Sequence, residues 1–215
     1  MNFRKLIAEF IGTFFLTLTV CMSSYAKVSA DLQPLAVGVV LIGLIYAGGY
    51  ISGAIFNPAV TVAILLRGRL NVKEAGTYII AQFLGGIGAA LVTMVLTSAK
   101  PIVFPIAPPP QYFGIIPAVV AEILGAFALV WVVLNVATSK STEHNSFYGL
   151  SIGFTVVGLV YTLGSVSGSV FNPAVAVAVN VAQLGNWAHI WIYLFGGFAG
   201  AALASIVYKF INPEE

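Results

Sequence analysis

Charge is what this sequence has least of. Of its 215 residues only nine are Lys or Arg and seven are Asp or Glu, 7% in all, where soluble domains carry roughly a quarter. A chain so poor in charge cannot cover itself with a water-compatible surface. With 60% hydrophobic residues and a mean hydropathy of +1.01 it belongs in a bilayer, with membrane lipid as its surroundings. The net charge of +2 makes no basic patch, which argues against nucleic acid as a partner. A single cysteine, Cys21, excludes an intrachain disulfide framework and reads as a small buried hydrophobe. No Ser/His/Asp set, metal-spaced Cys/His group or phosphate loop occurs, so an enzyme is the least favoured class and no catalytic residue, metal or cofactor is expected. The sequence has no Asn-x-Ser/Thr acceptor and short tails, which points to a prokaryotic plasma membrane.

What is present is a series of apolar runs. A spanning helix needs about 20 predominantly apolar residues, and six segments qualify: Leu6–Ala26, Pro34–Ile51, Ala75–Thr97, Pro117–Val136, Phe147–Val166 and Trp187–Phe210. If they alternate in direction, Arg4, Lys5, Arg67, Arg69, Lys73, Lys140 and Lys209 fall on one side and only Lys27 and Lys100 on the other. The positive-inside rule then puts both termini in the cytoplasm. The Pro-rich stretch across 98–116 is expected to be an extended extracellular connector, because its prolines forbid a helix.

Two shorter apolar stretches remain, and each opens on Asn-Pro. "NPAVTVAILLRG" begins at Asn57 and "NPAVAVAVNVAQLG" at Asn172. Each has an N-cap asparagine, a proline at the first helical position, and a closing glycine (Gly68, Gly185) suited to the C-terminal cap. About 10–12 helical residues span roughly 15–18 Å, half a bilayer. The Ala/Val alternation of the second stretch also fits a strand, but an unpaired strand in hydrocarbon would leave its backbone unsatisfied.

The chain also repeats itself. "AEFIGTF" at Ala8–Phe14 returns as "AEILGAF" at Ala121–Phe127, and "SGAIFNPAV" at Ser52–Val60 returns as "SGSVFNPAV" at Ser167–Val175. "FLGGIGAAL" at Phe83–Leu91 returns as "LFGGFAGAAL" at Leu194–Leu203. The organisation is one transmembrane domain of two halves, about 1–100 and 115–215. Each half has three spans and a half-helix, and an odd number of spans inverts the second half relative to the first. Two half-helices would then meet N-terminus to N-terminus near the midplane, each with unsatisfied N–H groups and about half a positive charge. If the oxygens of Asn57 and Asn172 cap their own helices, their NH₂ groups become paired donors. A water held there by its oxygen points its hydrogens away, which interrupts proton hopping, and the dipole ends repel cations.

Six spans, inverted halves and the paired motifs Asn57-Pro58-Ala59 and Asn172-Pro173-Ala174 resemble the aquaporin, or major intrinsic protein, family. The resemblance covers essentially the whole chain. It implies an all-α membrane bundle of six spans and two re-entrant half-helices, a homotetramer with one pore per subunit, and Glu9 and Glu122 bracing the re-entrant loops. It also implies an outer constriction at Val37, Val160, Ser169 and Val175. Family members usually carry arginine at the last of these positions. Valine adds neither charge nor donors and leaves more width. Some plant vacuolar members of the family share this valine and are associated with ammonia, urea and peroxide as well as water.

The resemblance therefore implies a passive channel for water and small uncharged solutes such as glycerol, urea, ammonia and hydrogen peroxide. Three other readings stand beside it: a water-selective pore, a coupled secondary transporter, and a structural membrane protein. Coupled transport would usually need ion-binding groups at the midplane, where this chain offers only Glu9 and Glu122. On composition alone Val37, Val160 and Val175 would face lipid or core. The Gly/Ala clusters at Gly85–Ala90 and Gly196–Ala202 are expected to let helices cross closely.

Overall fold

Capping explains where the helices begin. The structure, a computed structural model, describes residues 2–24, 32–98 and 114–214. Helix α1 (Phe3–Ser23) starts before Leu6 because the Asn2 side chain accepts a hydrogen bond from the Arg4 N–H at 3.1 Å. Helix α4 (Val72–Thr97) starts before Ala75 because Asn71 and Glu74 form a reciprocal capping box. The other long helices are α2 (Gln33–Ser52), α5 (Ile115–Ala137), α6 (Tyr148–Ser167) and α8 (Ile190–Ile211), the last preceded by a 3₁₀ turn at Trp187–His189. Among the described residues, six helical segments are long and apolar enough to cross a membrane. Most of the Pro-rich connector, with Ala26, Lys27 and Lys100, lies outside the described residues.

The half-helices are α3 (Pro58–Arg67) and α7 (Pro173–Val181). Gly68 ends α3 in the left-handed conformation, φ +84°, as expected. Gly185 does not end α7, which corrects the sequence reading. That helix stops at Val181, and the left-handed turn falls on Gln183, φ +62°, while the Leu184 N–H reaches back to the Val179 carbonyl at 2.9 Å. Gly185 serves close packing instead: a Cβ there would lie 3.1 Å from Asn180 Oδ1.

Packing depends on small residues at the crossings, since lipid tails give apolar helix faces no reason to prefer each other. A Cβ on Gly85 of α4 would stand 2.5 Å from the Phe10 carbonyl oxygen of α1. Gly200 of α8 approaches the Ile123 carbonyl of α5 just as closely. Gly38 and Gly153 form a reciprocal contact between α2 and α6, where a Cβ on either would lie 2.8 Å from the other's carbonyl oxygen. The Gly/Ala clusters also make room for the half-helices, as Gly86 faces the Ala174 carbonyl and Gly197 faces the Pro173 ring. Large apolar side chains such as Phe10, Leu84, Phe154 and Phe195 point outward, the reverse of a soluble protein.

Gly85→Val is therefore expected to force α1 and α4 apart and to destabilise the fold by about 1–3 kcal/mol, as overpacking does. Gly76→Ala, where nothing lies within 4 Å, is the control and should be neutral or slightly stabilising. Thermal unfolding of the purified variants in detergent checks both.

Candidate functional site

A chain that leaves the helix inside a bilayer must find partners for its backbone. The loops leading into α3 and α7 do so in the same way, position for position. In the first, the Gly53 N–H bonds the Gly49 carbonyl and the Ala54 N–H bonds Ser52 Oγ, at 3.0 and 3.1 Å. The Ile55 and Phe56 N–H groups then donate to the two Glu9 carboxyl oxygens at 3.0 and 2.8 Å. In the second, the Gly168 N–H bonds the Gly164 carbonyl at 2.8 Å and the Ser169 N–H bonds Ser167 Oγ at 3.1 Å. The Val170 and Phe171 N–H groups donate to the Glu122 oxygens at 3.1 and 2.9 Å. Ser52 and Ser167 each donate their hydroxyl to the same glutamate at 2.6 Å. Both glutamates are fully buried.

Turning every N–H inward requires an unusual backbone. Gly53 and Gly168 adopt φ of +92° and +94°, open to glycine without strain. Ala54, Phe56, Ser169 and Phe171 also lie near φ +50°, where a side chain costs about 1 kcal/mol or more each. The rings of Phe56 and Phe171 fill slots that exist because residues 12 and 125 are glycine, where a Cβ would collide with the ring. The repeated Glu-x-x-Gly of α1 and α5 thus supplies the acceptor for the loop backbone and, one turn on, the space for its phenylalanine.

The loop ends bring the two asparagines together. Asn57 Oδ1 accepts from the Ala59 and Val60 N–H groups at 2.8 and 3.5 Å. Asn172 Oδ1 accepts from Ala174 and Val175 at 3.0 and 3.4 Å. Each then donates across to the other loop, Asn57 Nδ2 to the Phe171 carbonyl and Asn172 Nδ2 to the Phe56 carbonyl, both at 3.0 Å. This sharpens the expectation of two free NH₂ groups. One of the two hydrogens on each nitrogen is committed to the opposite half, which leaves one for a passing molecule. Pro58, Ala59, Pro173 and Ala174 are buried in the first turns of α3 and α7.

A cavity of about 1010 Å³ runs past this junction. Its wall includes both asparagines, Val37, Val160, Ser169 and Val175, together with Gln33, Lys5, Arg69 and His144. Among the described residues no backbone N–H donates to the carbonyls of residues 53–55 and 168–170, and the residues that carry them line the cavity. The loops therefore turn donors to the scaffold and acceptors to the cavity.

Four polar residues escape a motif-based reading. Gln82 donates to Glu9 at 2.8 Å and to Thr61 Oγ1 at 2.9 Å, and Thr61 Oγ1 reaches the Asn57 carbonyl at 2.9 Å. Tyr78 and Tyr193 donate to the Ser52 and Ser167 carbonyls at 3.0 and 2.9 Å. A glutamine in an otherwise apolar span is the signal that would have found Gln82. The tyrosines occupy matching places, each 26 residues past the serine whose carbonyl it bonds, so the spacing that pairs Asn57 with Asn172 is the signal that would have found them.

Comparison with known proteins agrees with this architecture. The family described as MIP, Major intrinsic protein, matches residues 1–208. The chain is 33% identical to "Probable aquaporin NIP4-2" of Arabidopsis thaliana, over 97% of this chain and 75% of that protein. It is 34% identical to "Glycerol uptake facilitator protein-like 6" of Lactiplantibacillus plantarum, over 99% of this chain and 100% of that protein. In fold it matches the X-ray structure of the aquaglyceroporin from Plasmodium falciparum with a TM-score of 0.85 at 20% identity, covering 98% and 97% of the two chains. The chain belongs to the major intrinsic protein family and is an integral membrane channel, passive for water and small solutes, not an enzyme.

Proposed function

We propose that this channel passes small uncharged solutes beyond water, with glycerol, urea, ammonia and hydrogen peroxide as the candidates, through a wide apolar filter. The observation that carries the reading is the lining of the cavity. Val37, Val160 and Val175 line it with Ser169, and no charged side chain stands among the four. Val37, Ser169 and Val175 are 8, 6 and 3% exposed, so each offers the cavity only a narrow strip of surface. A relative named as a glycerol uptake facilitator, matched along its full length, supports a solute range wider than water.

Ion and proton exclusion then rests on the junction of α3 and α7. Two positive helix ends meet there with one spare donor on each asparagine, an arrangement that repels cations and holds a water by its oxygen. Glu9 and Glu122 act as braces, because their carboxyl oxygens are occupied by loop N–H groups and serine hydroxyls. The excess of Lys and Arg at the ends of the spans supports cytoplasmic termini, and the family supports a homotetramer with one pore per subunit.

Two variants test this reading. Val175→Arg is expected to narrow the solute range while water flux survives, read by stopped-flow light scattering of proteoliposomes with several osmolytes. Equal solute profiles would mean that residue 175 does not line the limiting constriction. Glu122→Gln replaces one of two accepting oxygens with a donor and leaves a buried loop N–H unpaired, which costs about 1–3 kcal/mol. It should lower the thermal midpoint and the water flux per folded channel; an unchanged midpoint would remove Glu122 from the bracing role.

A further inference from the structure

The geometry points to a filter that accepts hydrogen bonds and does not donate them, so that it favours small neutral solutes rich in N–H or O–H groups over aprotic ones. The inference rests on Val37, Val160, Ser169 and Val175 forming the filter, and goes further by naming the chemistry they select. Three of the four side chains are valines, with neither donor nor acceptor. The fourth, Ser169, directs its hydroxyl proton at the wall, toward the Leu159 carbonyl at 3.4 Å, which leaves its lone pairs for the cavity. The Ser169 N–H is spent on Ser167 Oγ, and the Val170 and Phe171 N–H groups on Glu122. The Val175 N–H faces Asn172 Oδ1. Among the described residues no backbone N–H donates to the carbonyls of Gly168, Ser169 and Val170, and all three residues line the cavity. The N–H groups of residues 169–171 and 175 are therefore turned to the scaffold. Outside the four filter residues, donors lie on Gln33, one helical turn before Val37, and on the asparagines Asn57 and Asn172.

A solute entering such a filter gives up water on all its polar atoms. Its N–H and O–H groups regain partners on Ser169 and the carbonyls, whereas its acceptors regain none from the four filter residues. A buried polar atom left unpaired is penalised more than a made bond is rewarded. Donor content, more than bulk, then ranks solutes that fit. Ser169 is the specificity-determining acceptor, and residue 175 is the place where a donor would reverse the preference.

Urea and dimethyl sulfoxide are the probes, since they have equal numbers of heavy atoms but only urea carries N–H donors. Channel-mediated fluxes are measured in proteoliposomes against protein-free vesicles for the wild type, Ser169→Ala and Val175→Thr. Threonine keeps the shape of valine and adds one hydroxyl. The wild type is expected to pass urea over dimethyl sulfoxide. Ser169→Ala should lower urea flux about fivefold, the weight of one neutral hydrogen bond, and leave dimethyl sulfoxide unchanged. Val175→Thr should raise dimethyl sulfoxide flux by a similar factor. Thermal unfolding of each purified variant in detergent reports on its folding. Folded variants with urea-to-dimethyl sulfoxide ratios like that of the wild type would overturn the inference alone. A wild type that passes water but neither probe would overturn the wide-filter reading beneath it.

Discussion

The structure depends on one constraint: a backbone that stops being helical at the centre of a bilayer has no water to bond. Here the debt falls on eight N–H groups, at residues 53–56 and 168–171, and it is met by two carboxyl groups, two serine hydroxyls and two helix-end carbonyls. Once the N–H groups face inward, the carbonyls of the same peptides are turned the other way. The polar face of the channel is thus a consequence of how the loops are braced. The strained φ values at Ala54, Phe56, Ser169 and Phe171 are what it costs to present that face, and the glutamates and the phenylalanine slots offset it.

The cross-bonds between Asn57 and Phe171, and between Asn172 and Phe56, join the two halves into one site. Neither half can shift its half-helix without losing a buried bond to the other. The halves are nevertheless not equal. Gln82 and Thr61 tie α3 to Glu9 and to the Asn57 carbonyl, whereas α7 has Ala176 where α3 has Thr61, and α8 has Gly197 where α4 has Gln82. The half-helix that carries Val175 is therefore held by fewer polar contacts than its counterpart, and it is the one that supplies a residue to the proposed filter.

Much of this was legible because the sequence writes it twice. Six apolar runs, two Asn-Pro starts, and the return of Glu-x-x-Gly and Ser-Gly fix the spans, the half-helices and the residues that serve their loops. The start of α1 at Phe3 and of α4 at Val72 came from local caps that a hydropathy window passes over. The end of α7 was misread because Gly185 looks like a C-terminal cap, while Gln183 takes the left-handed turn and Gly185 packs against Asn180. Gln82 escaped because its partners, Glu9 and Thr61, come from other helices and the second half has no counterpart to it. Tyr78 and Tyr193 recur at the spacing of the asparagines, but a tyrosine in a span carries no motif of its own. The commitment of one hydrogen on each asparagine to the opposite loop is likewise visible only in three dimensions.

The central claim is that water passes a junction of two positive helix ends, at Asn57 and Asn172, where protons cannot follow. It is tested most directly by recording osmotic water flux and proton flux on the same proteoliposomes, the second with an enclosed pH dye. The account predicts water flux that rises with protein content while proton flux stays at the level of protein-free vesicles. Proton flux that rises in step with water flux would contradict it.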